Sequence, residues 1–395
     1  MKKANFFIGT LSTGGAERVV SNLSMSLNSS IKKNILLFGE KSKIDYPYNG
    51  KLVYLDKSKH SNFFDKINAM RFRISIIKKI KKLDQDATTI SFLEYPNLIN
   101  ILTYKYGNTV ISVRNHMSTK YKRGFKAKLW NSTIKYLYPK ADLIISVSEE
   151  IKRDLFKNYK IDAKKIKVIY NFYDIKGIRK MAEEDIQNEY KEIFENPVII
   201  AVGRLNKQKG HWHLIRAFSK VKEEIPNTKL VILGEGELES YLKQLSQDLS
   251  INQDVHFLGF QRNPFKYIFR SKLFVMSSLY EGFPNAIGEA MACGIPIISS
   301  DCKSGPREIL APIEFKVKKM DYYINKERYG ILLPVCDGKK YVANDAITKE
   351  ETKMSDSIIN LLEDKDLWNY FSNQSQNRIK DFEISNIIKE WESII

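Results

Sequence analysis

The sequence predicts an α/β protein made of two doubly wound, Rossmann-like domains. Its 395 residues are enough for two domains that each bury a sizeable core. Short apolar segments alternate with longer helical segments, a pattern typical of parallel sheets covered by helices. This alternation begins at residues 5–9 and begins afresh at residues 197–202. The charged, mostly helical stretch between the two series, residues 177–196, predicts the interdomain connection.

The positive charge is concentrated in the first half of the chain. The whole chain has a net charge of +18, and residues 1–185 alone carry 36 Lys and Arg against 17 Asp and Glu. This excess predicts an anionic partner for the first half, either membrane lipid or nucleic acid. The alternative is a lysine-rich surface that only keeps the protein in solution.

Composition also indicates the cellular location of the protein and whether it binds a metal. No apolar segment approaches the roughly 20 residues of a membrane span, and no signal-peptide region is recognisable. The three cysteines, Cys293, Cys302 and Cys336, lack metal-ligand spacing, and their odd number argues against a disulfide framework. Asp-x-Asp sequences at 84–86 and 364–366 lie in charged contexts typical of a surface. We therefore expect a reduced, cytoplasmic location and no metal.

A loop and helix after residue 276 predict the main binding site. Residues 274–276 form an apolar strand, a loop containing Gly282 and Pro284 follows, and residues 286–293 predict a helix. The helix N-terminus offers unpaired N–H groups and the positive end of the helix dipole, which suit a phosphate or a polarised hydroxyl. Glu281 and Glu289 bracket this loop and helix.

The second domain has a further cationic loop at the end of its first strand. Residues 203–210, GRLNKQKG, place Arg204 and Lys209 between this strand and the following helix. Two cations held at a strand end and a helix start suit an anionic ligand. Taken alone, such a pair is more often solvated surface.

Strand ends in the first domain supply further candidates. Gly14 and Gly15 form a turn between a strand and a helix, which suits a diphosphate but is more often a simple tight connection. Ligands gather at the carboxyl ends of strands in doubly wound sheets. The pocket candidates at such ends are Glu94, Arg114, Asn115, His116 and Asn171.

Two basic segments are candidates for contact with a membrane. Residues 62–83 predict an amphipathic helix with apolar side chains at helical intervals and seven cations between them: Lys66, Arg71, Arg73, Lys78, Lys79, Lys81 and Lys82. Residues 120–128 form a basic loop with Tyr121 and Phe125 interleaved, which is a candidate for contact with a membrane or with the diphosphate of an acceptor. Either segment suits an anionic lipid surface. An ordinary domain helix with a solvated lysine face is the alternative for residues 62–83.

The motif EGFPNAIGEAMACGIPII, together with GRLNKQKG, GGAERV and SVRNHMS, resembles the signature of retaining glycosyltransferase family 4, also called glycosyl transferases group 1. The resemblance implies the GT-B fold, in which two Rossmann-like domains face a central cleft. It assigns residues 1–180 to an acceptor-binding domain and 181–375 to a domain that binds the nucleotide sugar. A helix at 376–395 would cross back to the first domain.

The resemblance also implies roles for single residues. Arg204 and Lys209 would stabilise the leaving diphosphate, and Glu281 would orient the sugar hydroxyls. Glu289 would hold the ribose, and His116 would touch the sugar from the acceptor side. The donor site would further include Gly14, Gly15, Gly282, Phe283, Pro284, Asn285 and Ala286. Residues 171–174 read Asn-Phe-Tyr-Asp instead of the usual Asn-Gly-Val-Asp, which weakens the transfer of the family's role to Asn171.

The expected activity is therefore transfer of a sugar, by family habit from a UDP-sugar, with retention and without a metal or other cofactor. The acceptor would be a lipid-linked glycan in capsule, O-antigen or teichoic-type polymer synthesis, reached from the inner membrane face by a peripheral enzyme. Segments RNH and SGPREIL resemble members that handle N-acetylhexosamines. Two alternatives stay open, a sugar-nucleotide epimerase of the same architecture and a basic nucleic-acid-binding protein, although no nucleic acid is expected. The segment 313–329 looks like an insertion of unknown function.

Overall fold

The computed structural model describes residues 2–12, 14–39, 44–56, 63–312 and 328–395. Two earlier predictions therefore fall partly outside the described residues, namely the insertion at 313–329 and the first residue of the basic helix, Asn62. The chain divides into two compact units. The first comprises Met1–Phe172 and Ile384–Ile395, and the second comprises Tyr173–Glu383.

Each unit is built on one parallel sheet. The strands of the first unit are β1 (Lys3–Phe7), β2 (Lys32–Gly39), β3 (Lys51–Asp56), β4 (Ala87–Phe92), β5 (Thr109–Val113), β6 (Leu143–Ser146) and β7 (Ile166–Val168). Their order is β3-β2-β1-β4-β5-β6-β7, and all described pairings are parallel. The strand order reverses beside β1, so the unit is doubly wound.

The second sheet repeats this topology. Its strands are β8 (Val198–Val202), β9 (Lys229–Leu233), β10 (Val255–Phe257), β11 (Leu273–Met276), β12 (Ile297–Ser300) and β13 (Ile331–Leu333). They run in the order β10-β9-β8-β11-β12-β13, again in parallel. The prediction of two doubly wound α/β domains is therefore confirmed.

Helices follow most strands. In chain order they are α1 (Gly15–Ser26), α2 (Phe63–Leu83), α3 (Glu94–Leu102), α4 (Met117–Lys120), α5 (Phe125–Leu137), α6 (Glu149–Tyr159), α7 (Ile175–Ala182), α8 (Lys191–Phe194), α9 (His211–Glu224), α10 (Glu239–Asp248), α11 (Phe265–Phe269), α12 (Asn285–Ala292), α13 (Pro306–Leu310), α14 (Lys349–Glu363), α15 (Lys365–Arg378) and α16 (Ile384–Glu392). No helix in the described ranges combines the length and apolar character that a bilayer crossing requires.

Most strand residues are buried because helices cover both faces of each sheet, although polar residues such as Asn5, Thr88 and Thr89 also lie within the strands. In the first unit, Phe7, Leu36 and Ile77 belong to one buried cluster that joins strands to α2. In the second unit, Trp212 and Phe218 of α9 are fully buried in a larger cluster. Both α2 and α9 therefore turn an apolar stripe inward.

The prediction that Lys81 belongs to a basic surface is wrong. Its side chain is buried, and Nζ donates to Thr109 Oγ1 at 2.6 Å and to the Asn100 carbonyl at 3.3 Å. Burial lowers the pKa of Lys81 to about 7, against the opposing effect of Asp142. Arg73 is also engaged, since its Nε donates to Asp56 Oδ2 at 2.6 Å. Helix periodicity places these residues on one helix, but neighbouring elements decide which cations reach solvent.

The stretch predicted as the interdomain connection packs as part of the second unit. Helix α7 contacts α11 and α12. The rings of Tyr190 and Phe194 lie 6.2 and 5.9 Å from the ring of Tyr267. Their apolar side chains needed a core to pack against, which a free connection would not provide.

The last helix, α16, packs on the first unit. Trp391 is buried, and its indole stacks on Phe92 at the end of β4, with ring centroids 6.1 Å apart. Lys2 Nζ donates to the Glu392 carbonyl at 2.7 Å. The C-terminus of the chain therefore completes the core of the unit that contains its N-terminus.

Candidate functional site

In the second unit, the candidate site lies where the strand order reverses. Strands β8 and β11 are neighbours there, with Leu273 paired to Ile199. The loop after β8 carries Lys209 and the loop after β11 carries Glu281. Parallel neighbours end at the same edge of a sheet, so the two loops meet. Lys209 Nζ lies 2.7 Å from Glu281 Oε1, and both side chains are largely shielded from solvent.

The backbone around Lys209 is fixed on both sides. Asn206 Oδ1 accepts from the Lys209 N–H at 3.3 Å and starts a short 3₁₀ turn. Gly210 follows in the left-handed region with φ of +60°, and a Cβ there would lie 2.6 Å from the Ser277 carbonyl oxygen. Ser277 Oγ also donates to the Lys209 carbonyl at 2.9 Å. Only glycine at position 210 allows the two loops to approach this closely.

The Glu281 loop is held by its neighbours in the same way. Gln208 Nε2 donates to the Tyr280 carbonyl at 2.9 Å and to Glu281 Oε2 at 3.4 Å. Ser304 Oγ donates to the Glu281 carbonyl at 2.6 Å. The carboxylate of Glu281 therefore faces Lys209 while its backbone is anchored from the opposite side.

The remaining donor candidates of this unit differ in their exposure. Arg204 is exposed and follows β8 directly, whereas Glu289 is buried within α12. The loop residues Gly282, Phe283 and Pro284 are buried, and Asn285 and Ala286, the first two residues of α12, are half-buried. The N-terminus of α12, four residues after Glu281, carries backbone N–H groups that the helix itself does not use.

The pocket candidates of the first unit form two contacts. Arg114, at the end of β5, donates from Nη2 to Asn171 Oδ1 at 2.5 Å, and both residues are buried. Glu94 Oε1 accepts from Asn115 Nδ2 at 3.1 Å and from Lys120 Nζ at 2.8 Å. The structure therefore pairs four of the five predicted strand-end candidates, Arg114 with Asn171 and Glu94 with Asn115, and it adds Lys120 to the second pair.

His116 has a partner that the sequence did not indicate. The imidazole is buried, and its Nδ1 lies 3.0 Å from Thr119 Oγ1 and 3.4 Å from Asp154 Oδ2. Asp154 is buried in α6 and also accepts from the Ser118 N–H at 3.1 Å and from Asn158 Nδ2 at 2.7 Å. These contacts orient the ring through Nδ1. The only sign of this contact in the sequence was that Asp154, a charged residue, lies on the inner face of α6.

His211, the first residue of α9, was also not singled out from the sequence. It is buried, and neither ring nitrogen has a hydrogen-bond partner among the described residues. Burial, with a smaller effect of the nearby Lys209 cation, lowers the pKa of His211 to about 3. The imidazole is therefore neutral beside the cationic loop.

Gly14 and Gly15 stand at the start of α1, as predicted. Gly14 is the residue before the helix, and its carbonyl accepts from the Arg18 N–H at 3.0 Å. Within the described ranges, no group of three or more His, Cys, Asp or Glu side chains could hold a metal ion.

Comparison with known proteins places the chain in a family. A family model described as Glycosyl transferases group 1 matches residues 182–320, and one described as Glycosyltransferase Family 4 matches residues 13–176. An uncharacterized glycosyltransferase of Methanocaldococcus jannaschii is 36% identical over 380 residues, covering 92% of this chain and 88% of the relative.

Two further proteins extend the comparison. The N-acetylgalactosamine-N,N'-diacetylbacillosaminyl-diphospho-undecaprenol 4-alpha-N-acetylgalactosaminyltransferase of Campylobacter jejuni is 32% identical over 395 residues, covering 99% of this chain and 98% of the relative. The Anabaena protein Alr3699/HepE, crystallised with UDP and glucose, superposes with a TM-score of 0.73 at 16% identity, covering 100% and 99% of the two chains. The expected family, enzyme class and fold are confirmed. The chain therefore belongs to the group 1, or family 4, glycosyltransferases, and it is a glycosyltransferase with the GT-B fold.

Proposed function

We propose that this glycosyltransferase moves an N-acetylhexosamine from a UDP-sugar to a lipid-linked glycan, with retention at the anomeric carbon and without a metal ion. The product would be an intermediate of a cell-surface polysaccharide. The observation that carries the proposal is the shielded contact between Lys209 and Glu281 at the switch point of the second sheet.

The contact supports a donor with a diphosphate leaving group. A lysine held at 2.7 Å from a carboxylate has a fixed position, so it needs little reorganisation when charge develops on a ligand beside it. In the proposed reaction Lys209 and the exposed Arg204 stabilise the diphosphate as the glycosidic bond breaks. The N–H groups of the first turn of α12 and of the turn at Gly14–Gly15 assist them.

Glu281 and Glu289 have the complementary task of holding hydroxyl groups. In the proposal Glu281 orients the sugar and Glu289 accepts from the ribose diol. His116 contacts the sugar from the acceptor side. The leaving phosphate accepts the proton of the attacking hydroxyl, so the proposed reaction needs no separate base.

The proposed identities of the donor sugar and of the acceptor are based on the comparisons with known proteins. The Campylobacter relative is named for transfer of N-acetylgalactosamine to a diphospho-undecaprenol acceptor, and it covers nearly the whole chain. The Anabaena protein of the same fold was crystallised with UDP and glucose. A lipid-linked acceptor also fits the basic first half of the chain, which we propose contacts the anionic inner face of the cell membrane.

The test has two parts. Thermal unfolding is first measured with UDP-GalNAc, UDP-GlcNAc, UDP-glucose, UDP-galactose and GDP-mannose, each with and without EDTA. A ligand present at about 100 times its dissociation constant should stabilise the fold by about 2.7 kcal/mol. The stabilising donor is then incubated with undecaprenyl-diphosphate-linked saccharides, and the anomeric configuration of the product is read by NMR.

We expect one UDP-N-acetylhexosamine to stabilise the protein equally with EDTA and to give an α-linked product. Loss of stabilisation with EDTA would contradict metal independence, and a β-linked product from an α-linked donor would contradict retention. Epimerisation of the donor without any acceptor would favour the epimerase alternative.

A further inference from the structure

The surface helix α5, Phe125–Leu137, exposes apolar side chains on the face that points away from the protein. Phe125 is 85% exposed, Leu129 59% and Tyr136 65%, which places them among the most exposed large apolar side chains of the described chain. Single exposed apolar residues are ordinary, whereas a contiguous set of them marks an interaction surface.

These three side chains form one stripe. Successive helical residues are about 100° apart, so positions 125, 129 and 136 fall within about 40° of one another. Ala127 and Ile134 are buried on the opposite side of the helix. The packing of α5 onto the first unit therefore does not use the stripe, and it remains available to a partner.

The charge around the stripe identifies the partner. Residues 121–137 contain five cations and no carboxylate, and all five cations are exposed: Lys122, Arg123, Lys126, Lys128 and Lys135. An apolar stripe flanked by Lys and Arg is the pattern of a helix that lies in the interface of an anionic bilayer. A protein partner would need acidic groups around an apolar groove, whereas an anionic lipid leaflet supplies both over a flat area.

We propose that α5 is the membrane-inserting element of this enzyme, with Phe125, Leu129 and Tyr136 entering the apolar layer of an anionic bilayer and the flanking cations contacting lipid headgroups. The inference rests on the proposed function, since a lipid-linked acceptor requires the enzyme to work at a membrane. It also distinguishes α5 from α2, whose Ile77 and Lys81 face the interior of the unit.

Contacts behind the helix connect this surface to the candidate residues at the strand ends of the first unit. Tyr121 stacks on Trp130, with ring centroids 5.7 Å apart, and its carbonyl accepts from Asn131 Nδ2 at 3.1 Å. The next residue back, Lys120, reaches Glu94 Oε1 at 2.8 Å. A bilayer that holds α5 would therefore hold the strand-end residues of the first unit close to the lipid headgroups.

The experiment measures whether a labelled side chain on α5 enters the bilayer. The three cysteines of the described chain are buried, and burial raises the pKa of their thiols, so a cysteine introduced on the surface can be labelled selectively. Leu129→Cys is labelled with an environment-sensitive fluorophore, and Ser240→Cys, exposed in the second unit, is the control. Both are mixed with phosphatidylglycerol–phosphatidylcholine vesicles and with phosphatidylcholine vesicles.

We expect a blue shift at position 129 with the anionic vesicles and none at position 240. Co-sedimentation should weaken about tenfold or more for the double variant Phe125→Ser/Leu129→Ser, because two large apolar side chains leave the lipid. Phe269→Ser, which removes an exposed phenylalanine of the second unit, should bind as the parent does.

Three results would overturn the proposal. The label at position 129 could stay in water while the protein sediments with vesicles, or Phe72→Ser on α2 could weaken binding more than the α5 variant does. Sedimentation velocity could instead show a dimer that dissociates in the α5 variant. The partner of α5 would then be a second copy of the chain. Vesicle binding requires no turnover, so an absence of transferase activity would contradict the proposed function and leave this inference standing.

Discussion

Lys209 Nζ and Glu281 Oε1 lie 2.7 Å apart although 72 residues separate them in the chain. The contact exists because β8 and β11 are adjacent parallel strands whose loops leave the same edge of the sheet. Two sequence motifs that were recognised separately therefore form one site.

Replacing Lys209 by alanine should lower kcat/KM for sugar transfer by about 10²–10³-fold, the range found when a donor that stabilises transition-state charge is removed. Lys207→Ala is the matched control, because Lys207 is an exposed lysine of the same 3₁₀ turn. Turnover is measured with saturating acceptor and varied donor. A Lys209→Ala enzyme with near-normal turnover would remove the leaving-group role.

Gly288→Ala should destabilise the second unit, contrary to the usual gain of Gly→Ala within a helix. A Cβ at position 288 in α12 would overlap the ring of Tyr173. We expect a lower unfolding temperature for Gly288→Ala, measured by calorimetry, and a smaller cost of the same change in a Tyr173→Ala background, where the obstructing ring is absent. Equal stability of Gly288→Ala and the parent would show that Tyr173 can move aside without cost.

His211 should make the fold sensitive to acid. Its folded pKa is about 3, whereas an unfolded histidine has a pKa near 6.5. Between these values the unfolded chain binds a proton that the folded chain does not, so the free energy of unfolding falls as the pH drops below about 6.5, by up to about 1.4 kcal/mol per pH unit. His211→Phe should flatten this loss in urea unfolding at pH 7 and pH 5.

His256→Phe serves as the comparison for the His211 prediction. Burial also lowers the pKa of His256, but its side chain is only half-buried. The variant should therefore change the pH dependence in the same direction and by a smaller amount. An unchanged slope in His211→Phe would mean that the imidazole is protonated in the folded protein.

Asp154→Asn should slow sugar transfer without unfolding the protein, because it disturbs the position of His116. Asparagine keeps the size of the side chain but loses the carboxylate that faces His116 Nδ1. We expect a decrease in kcat of about tenfold, below the 10²–10⁴-fold contribution typical of a positioned acid or base because His116 itself is retained, together with a changed pH profile. Asp162→Asn, an exposed residue before a short 3₁₀ turn eight positions after Asp154, should leave both unchanged. A pH profile identical to the parent's would reduce Asp154 to a structural residue.

Trp391→Ala should destabilise the first unit by about 3–5 kcal/mol, as expected for truncation of a large buried aromatic side chain. Its indole stacks on Phe92 and is almost fully buried. Lys389→Ala, an exposed change on the same helix, is the control. Proteolysis followed by mass spectrometry should show earlier cleavage in the first unit for Trp391→Ala only, and cleavage confined to the second unit would contradict the packing of α16.

The sequence by itself determined the fold class, both doubly wound sheets and the two loops that carry Lys209 and Glu281. These features depend on local information, because apolar periodicity and glycine and proline positions are readable along a single stretch of chain. The tertiary structure decided which charged and apolar side chains face inward. Lys81 and Phe125 illustrate the limit, since a buried lysine and an exposed phenylalanine both follow from what packs against each helix.

The same limit applies to the partners of the site residues. Asp154 stands 38 positions after His116 and belongs to a helix whose sequence offers no sign of that contact, so only the packing of α6 brings the carboxylate to the imidazole. His211 was likewise unremarkable in sequence, because the lack of a hydrogen-bond partner for its ring among the described residues is a property of its surroundings. Side-chain partners between distant segments depend on how elements pack, and that packing is a collective result of the whole core.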